Sequence, residues 1–173
     1  MITEFSEIVK KKYPNNYSYY YDIGKKMISD LLKTEYIDNI NEDFIENIMN
    51  SNNIKIIFYS HNNKLSIKNN IGIAVYCIIK NSKEIKFYLL LFGINKIYRG
   101  VGYGSNFLNT FIDYCKSYND QSNKSIILHS LLSSYDFYKS LGFEDIIDDK
   151  YKYRKLFQYE KYNKEAIILQ LYI

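Results

Sequence analysis

The sequence predicts a single α/β domain, on three observations: two amphipathic helical stretches near its start, three apolar strand-length runs in its middle, and a glycine-rich turn that opens another helix. A chain of 173 residues suits one hydrophobic core. No internal repeat and no Pro/Gly/Ser-rich linker divides it, so residues 1–173 read as one domain.

The elements follow in order. Between Ile23 and Lys33, the apolar residues Ile23, Met27, Ile28, Leu31 and Leu32 recur at helical spacing; Phe44, Ile45, Ile48 and Met49 do the same between Glu42 and Met49. Ile54–Ser60, Ile71–Lys80 and Glu84–Ile94 are strand-like, with polar His61–Asn70 and the turn Asn81–Lys83 between them, which predicts an antiparallel meander. From Gly104 the period lengthens from two to about 3.6, and Phe107, Leu108, Phe111, Ile112 and Cys115 form one face of a helix that ends near Ser117. A strand at Ser125–His129, a short helix at Ser133–Leu141 and a last strand at Ala166–Ile173 complete the order.

Composition narrows the function classes. Hydrophobic residues make up 47% and charged residues 24%, an ordinary globular balance. Lys+Arg 23 against Asp+Glu 19 leaves a net charge of +4, enough to favour an anionic ligand and too little to mark a nucleic-acid binder. The weighting toward Ile, Asn, Lys and Tyr is that of an A+T-rich coding sequence, so the 20 tyrosines are not in themselves a stacking surface. Cys77 and Cys115 sit in apolar runs and are too few for a disulfide framework or a zinc site, so no metal is implied. No run approaches the ~20 apolar residues that span a bilayer, and the expectation is a soluble, cytoplasmic protein.

The most informative segment runs from Ile94 to Ser105. Glycines at 100, 102 and 104 let successive backbone N–H groups turn inward as an anion-binding nest, and the helix that follows adds free donors and the positive end of its dipole. Two other phosphate loops fail on spacing: a dinucleotide fingerprint from Gly100 needs glycine where Ser105 stands, and a P-loop needs Gly-Lys-Ser/Thr. About thirty residues further on comes a second pattern, Ser133 to Phe143, in which Ser133 or Ser134 is placed to cap a helix, Phe137 and Leu141 share a face, and Gly142 ends it.

Arg99-Gly100-Val101-Gly102-Tyr103-Gly104 resembles the Arg/Gln-x-x-Gly-x-Gly/Ala signature of the GNAT superfamily of acyl-CoA-dependent N-acetyltransferases, and Phe137-Tyr138-Lys139-Ser140-Leu141-Gly142-Phe143 resembles that family's second motif. The likeness spans roughly Ile71 to Phe143, with Ala166–Ile173 matching a closing hairpin. It departs in two places: Lys96 replaces a common proline, and Leu131-Leu132-Ser133-Ser134 stands where many members carry an asparagine.

The resemblance implies a mixed, mostly antiparallel central sheet flanked by helices and splayed at the fourth and fifth strands. It implies acetyl-CoA as cosubstrate and a primary amine as acceptor, joined by direct attack through a tetrahedral intermediate. Phe92, Ile94, Arg99, Gly100, Val101, Gly102, Tyr103, Gly104 and Ser105 would bind the cosubstrate, with the Ile94 N–H also holding the oxyanion. Tyr138 would protonate the departing thiolate. The strand positions Lys86, Tyr88 and Leu90 offer no carboxylate, so His129 is the candidate base, while His61 is expected in a solvated turn. Asp145, Asp148 and Asp149 are placed to attract a cationic acceptor. The resemblance admits a homodimer and involves neither nucleic acid nor membrane; a catalytically silent acyl-CoA-binding domain of the same fold is the alternative.

Overall fold

Successive side chains of a strand point to opposite faces of its sheet, so the continuous apolar runs here need cover on both, and helices supply it on either side. The computed structural model describes residues 2–4, 17–35, 42–51, 53–61, 69–146 and 167–173. The elements are β1 (Ile2–Glu4), α1 (Tyr17–Glu35), α2 (Glu42–Asn50), β2 (Ile54–Ser60), β3 (Asn70–Lys80), β4 (Glu84–Ile94), α3 (Tyr103–Lys116), β5 (Asn123–Ser130), α4 (Leu132–Lys139), β6 (Glu144–Asp145) and β7 (Ile167–Tyr172).

The strands form one sheet in the order β1-β2-β3-β4-β5-β7-β6. All neighbours are antiparallel except β4 and β5, which are parallel because α3 carries the chain back between them. The mixed, mostly antiparallel sheet matches the expectation. Two short strands, β1 and β6, were not expected, and α1 begins at Tyr17 rather than Ile23.

On one face, Phe107, Phe111 and Cys115 of α3 pack on Tyr76, Phe87 and Leu89; on the other, Ile28 of α1 with Ile45 and Ile48 of α2 covers Phe58, Ile73 and Val75. Each such side chain, fully buried, stabilises the fold by about 1.5–3 kcal/mol. Both cysteines are free thiols, Cys115 buried and Cys77 half-buried, and burial pushes the Cys77 thiol up to about 11. Among the described residues no helix is long and apolar enough to cross a membrane.

Two irregularities in β4 place the site. Val75 pairs with Leu91 and Tyr76 with Leu89, so Leu90 is an extra residue that bulges out of the ladder with β3. The parallel ladder to β5 runs from Glu84–Asn123 to Leu89–Leu128 and goes no further, whereas β4 continues to Ile94. Beyond the bulge β4 is paired on one side only, and the sheet opens between β4 and β5.

Candidate active site

The last residues of β4 face that opening with their backbone. The Asn95 N–H donates to the Ile71 carbonyl at 2.8 Å, toward β3. Peptide groups alternate direction along a strand, so the N–H and carbonyl of Ile94, and those of Phe92 two residues earlier, point away from β3 into the gap. The Phe92 ring meanwhile stacks on Phe107 at 5.0 Å and Phe137 at 6.3 Å, which walls the gap with α3 and α4.

After Ile94 the chain makes a 3-10 turn, Lys96–Tyr98, begun by the Asn95 side chain accepting from the Ile97 N–H. Arg99 folds back, and its Nε donates to the Ile94 carbonyl at 2.8 Å. Gly100 and Gly102 then take φ of 79° and 86°, the left-handed region open to glycine. A Cβ at either would meet nothing within 4 Å. Their requirement is therefore the backbone turn itself, not crowding by the protein. Gly102 is the N-cap of α3, and the first helical bond is Asn106 N–H to the Gly102 carbonyl; the N–H groups of Tyr103, Gly104 and Ser105 belong to the opening turn, which has no intrahelical acceptors for them.

The cradle, the open edge of β4 and the start of α4 enclose a cavity of about 470 Å³, within the range of small-molecule sites. It brings together Phe92, Ile94, Arg99, Gly100, Gly102, Gly104, Ser105, His129 and Tyr138 of the sequence expectation. Val101 and Tyr103 are not in its lining. Val101 is 70% exposed, and the Tyr103 ring turns the other way, edge-on to Tyr98 and His61.

Tyr138 is buried, with Phe137 and Phe143 edge-on to its ring at 5.1 and 5.6 Å. Its carbonyl accepts from the N–H groups of Leu141 and Phe143, so the Gly142 turn at the end of α4 fixes the residue. His129, half-buried on β5, lies edge-on to Tyr88 of β4 at 5.9 Å. Burial pushes its pKa down to about 4, so the ring is neutral near pH 7.

Three expectations need correction. Neither Ser133 nor Ser134 caps α4: the N-cap is Leu131, with no side-chain cap hydrogen bond, because the turn starts a residue early when the Leu131 carbonyl accepts the Ser134 N–H. Ser134 instead lines the cavity. His61 is exposed as expected, yet it packs edge-on against Tyr98 and Tyr103 at the back of the cradle. Asp145 is engaged by the Tyr135 hydroxyl and Lys139 Nζ, which hold its carboxyl below the usual range; Asp148 and Asp149 lie outside the described residues. Sequence reasoning missed Tyr88 as the neighbour of His129, since only the register of β4 against β5 brings the two together.

A glycine-rich turn at a helix start, next to a strand that loses its partner partway along, belongs to a fold that defines a class, that of the GNAT-type acyltransferases. Residues 25–165 match the family model of the acetyltransferase (GNAT) domain, and the chain belongs to that family, a family of N-acetyltransferases. It is 35% identical over 97 residues to N-alpha-acetyltransferase 50 of Danio rerio, a match covering 53% of this chain and 56% of that protein; the chain thus spans about half the length of this curated relative. Among solved structures, Tetrahymena GCN5 superposes with a TM-score of 0.67 at 13% identity, covering 100% of this chain and 96% of the other. Arabidopsis thaliana Naa50 in complex with the bisubstrate analogue CoA-Ac-MVNAL gives 0.56 at 22% identity, covering 87% and 93%. Arabidopsis thaliana NAA60 in complex with acetyl-CoA gives 0.61 at 14%, also covering 87% and 93%.

Proposed function

We propose that this chain transfers the acetyl group of acetyl-CoA to the α-amine of a peptide by direct attack through a tetrahedral intermediate. The observation that carries the reading is the one-sided stretch of β4 beside the cradle: an extended, amide-bearing arm can add to Phe92–Ile94 as a further strand while its pyrophosphate sits on the N–H groups around Gly100–Ser105. In this arrangement the Ile94 N–H meets the thioester carbonyl and strengthens its hold as that oxygen gains charge.

The nitrogen lone pair attacks the carbonyl carbon, the carbon–sulfur bond breaks, the amine loses a proton and the thiolate gains one. A thiol has a pKa near ~8.5, so the Tyr138 phenol assists the departure without being indispensable. His129, neutral at pH 7, has a lone pair to take the proton as the new bond forms, with Tyr88 holding the ring from the side.

The weakness of that base bears on the acceptor. A peptide α-amine titrates near ~7.7–8.0 and a lysine near ~10.4, so an α-amine already offers a sizeable neutral fraction at pH 7 and asks little of the site. The name of the zebrafish relative and the peptide analogue bound by Arabidopsis Naa50 support the same choice.

The test is thiol release with acetyl-CoA and two peptides, one beginning Met-Val-Asn-Ala-Leu with a free amine and one with a blocked amine and an internal lysine. Turnover of the first at least tenfold above the second is expected. Preference for the lysine peptide overturns the acceptor assignment, and tight acetyl-CoA binding without thiol release on any amine identifies a silent binding domain.

A further inference from the structure

Resting on the acetyl-CoA reading above, we infer that Arg99 is a positioning residue for acyl transfer, acting through its hydrogen bond to the Ile94 carbonyl. Ile94 is the residue whose N–H faces the reacting carbonyl. Its own carbonyl points into the same gap, where β5 has already turned away and offers no strand partner. A carbonyl without a strand partner still calls for a hydrogen-bond donor. The Arg99 Nε provides one at 2.8 Å.

The local chain makes this bond possible. The turn between the two residues is fastened by Tyr98 N–H to the Asn95 carbonyl at 2.8 Å and Arg99 N–H to the Lys96 carbonyl at 3.3 Å. Arg99 itself is extended, with φ −78° and ψ 158°, and Gly100 follows at once with its positive φ. Arg99 is therefore the join between the end of β4 and the phosphate cradle. Because the N–H and carbonyl of Ile94 leave the strand on the same side, tethering the carbonyl sets the rotation of the residue about the strand axis and with it the aim of the N–H.

Arg99 also lines the cavity, so its charge stands beside the phosphates, and the two roles must be separated. The side chain of glutamine places its Nε2 donor at the same distance along the chain as the arginine Nε, without charge; methionine has the same length and no donor. R99Q and R99M thus lose the charge equally and differ in the tether.

With acetyl-CoA and the free-amine peptide, both variants are expected to raise the KM for acetyl-CoA by a similar factor, about three- to tenfold, with a weaker dependence on salt. The kcat of R99Q is expected to stay within about threefold of the unaltered chain, and that of R99M to fall by roughly tenfold or more. Equal kcat values for a folded R99M and R99Q overturn the inference and leave acetyl transfer standing. So does a tenfold loss of kcat in R99Q by itself, which keeps the test decisive if R99M does not fold. Absence of turnover by the unaltered chain on any amine overturns the underlying reading, and this inference with it.

Discussion

The two halves of β4 have the same backbone and opposite duties. From Glu84 to Leu89 the strand is paired on both sides, and Ile85, Phe87 and Leu89 sink into the core under α3. From Leu91 to Ile94 it is paired only with β3, and its other edge faces a cavity. The difference arises from one extra residue at the Leu90 bulge and from a β5 ladder that stops at Leu128. Hydrogen bonds on both edges make the first half structural; on the reading proposed above, the groups that face the cavity in the second half serve to receive the donor.

Substitutions that tell the halves apart sharpen this contrast. The largest expected effect lies in the closed half: Phe87→Ala removes a fully buried ring and should destabilise the fold by about 3–5 kcal/mol in urea unfolding, while the acetyl-CoA affinity of the folded fraction stays within about twofold. In the open half the pattern reverses. Gly102→Glu puts a side chain at φ 86° and a carboxylate in the anion cradle, and calorimetry should show acetyl-CoA affinity falling by roughly a hundredfold.

His129, on β5, lines the cavity that the open half of β4 faces, and it bears on stability as well. Its folded pKa of about 4 lies below the ordinary value of 6.5. Above pH 6.5 the ring is neutral in folded and unfolded chains alike and contributes no pH dependence. As pH falls from 6.5 to 4 the unfolded chain takes up a proton that the folded chain refuses, and stability should decline by on the order of 2 kcal/mol. His129→Gln should flatten that slope in a series of unfolding curves. It should also leave the rise of kcat/KM between pH 6 and 8 in place, because that limb belongs to the acceptor amine.

The smallest effect is expected from Tyr138→Phe, which keeps the packing against Phe137 and Phe143 and loses the hydroxyl. Stopped-flow thiol release should show kcat reduced by about tenfold and acetyl-CoA affinity changed by less than about twofold. A large fall in affinity would mean that Tyr138 serves binding and not departure.

How much of this was legible depended on whether a local rule encodes the feature. The cradle was readable because positive φ selects glycine at Gly100 and Gly102, and α3 because Phe107, Leu108, Phe111, Ile112 and Cys115 hold a helical period. β1 and β6 were not, since three and two residues are too short to display a period. The first turns of α1 were hidden among Tyr17, Tyr19, Tyr20 and Tyr21, whose repeated type carries no apolar rhythm. The Tyr88–His129 contact, the His61 packing and the Arg99 tether join residues through sheet register or a turn, and no spacing in the sequence announces them.

An open strand edge has a cost outside catalysis. Any extended segment of another chain can pair with it, and such edges seed aggregation. Here Phe92, Gly93 and Ile94 of that edge line a cavity together with Phe137 and Tyr138 of α4 and the glycines of the cradle. A ligand that pairs with this edge would also cover it, and protein stored with such a ligand should tolerate concentration better than protein stored without it.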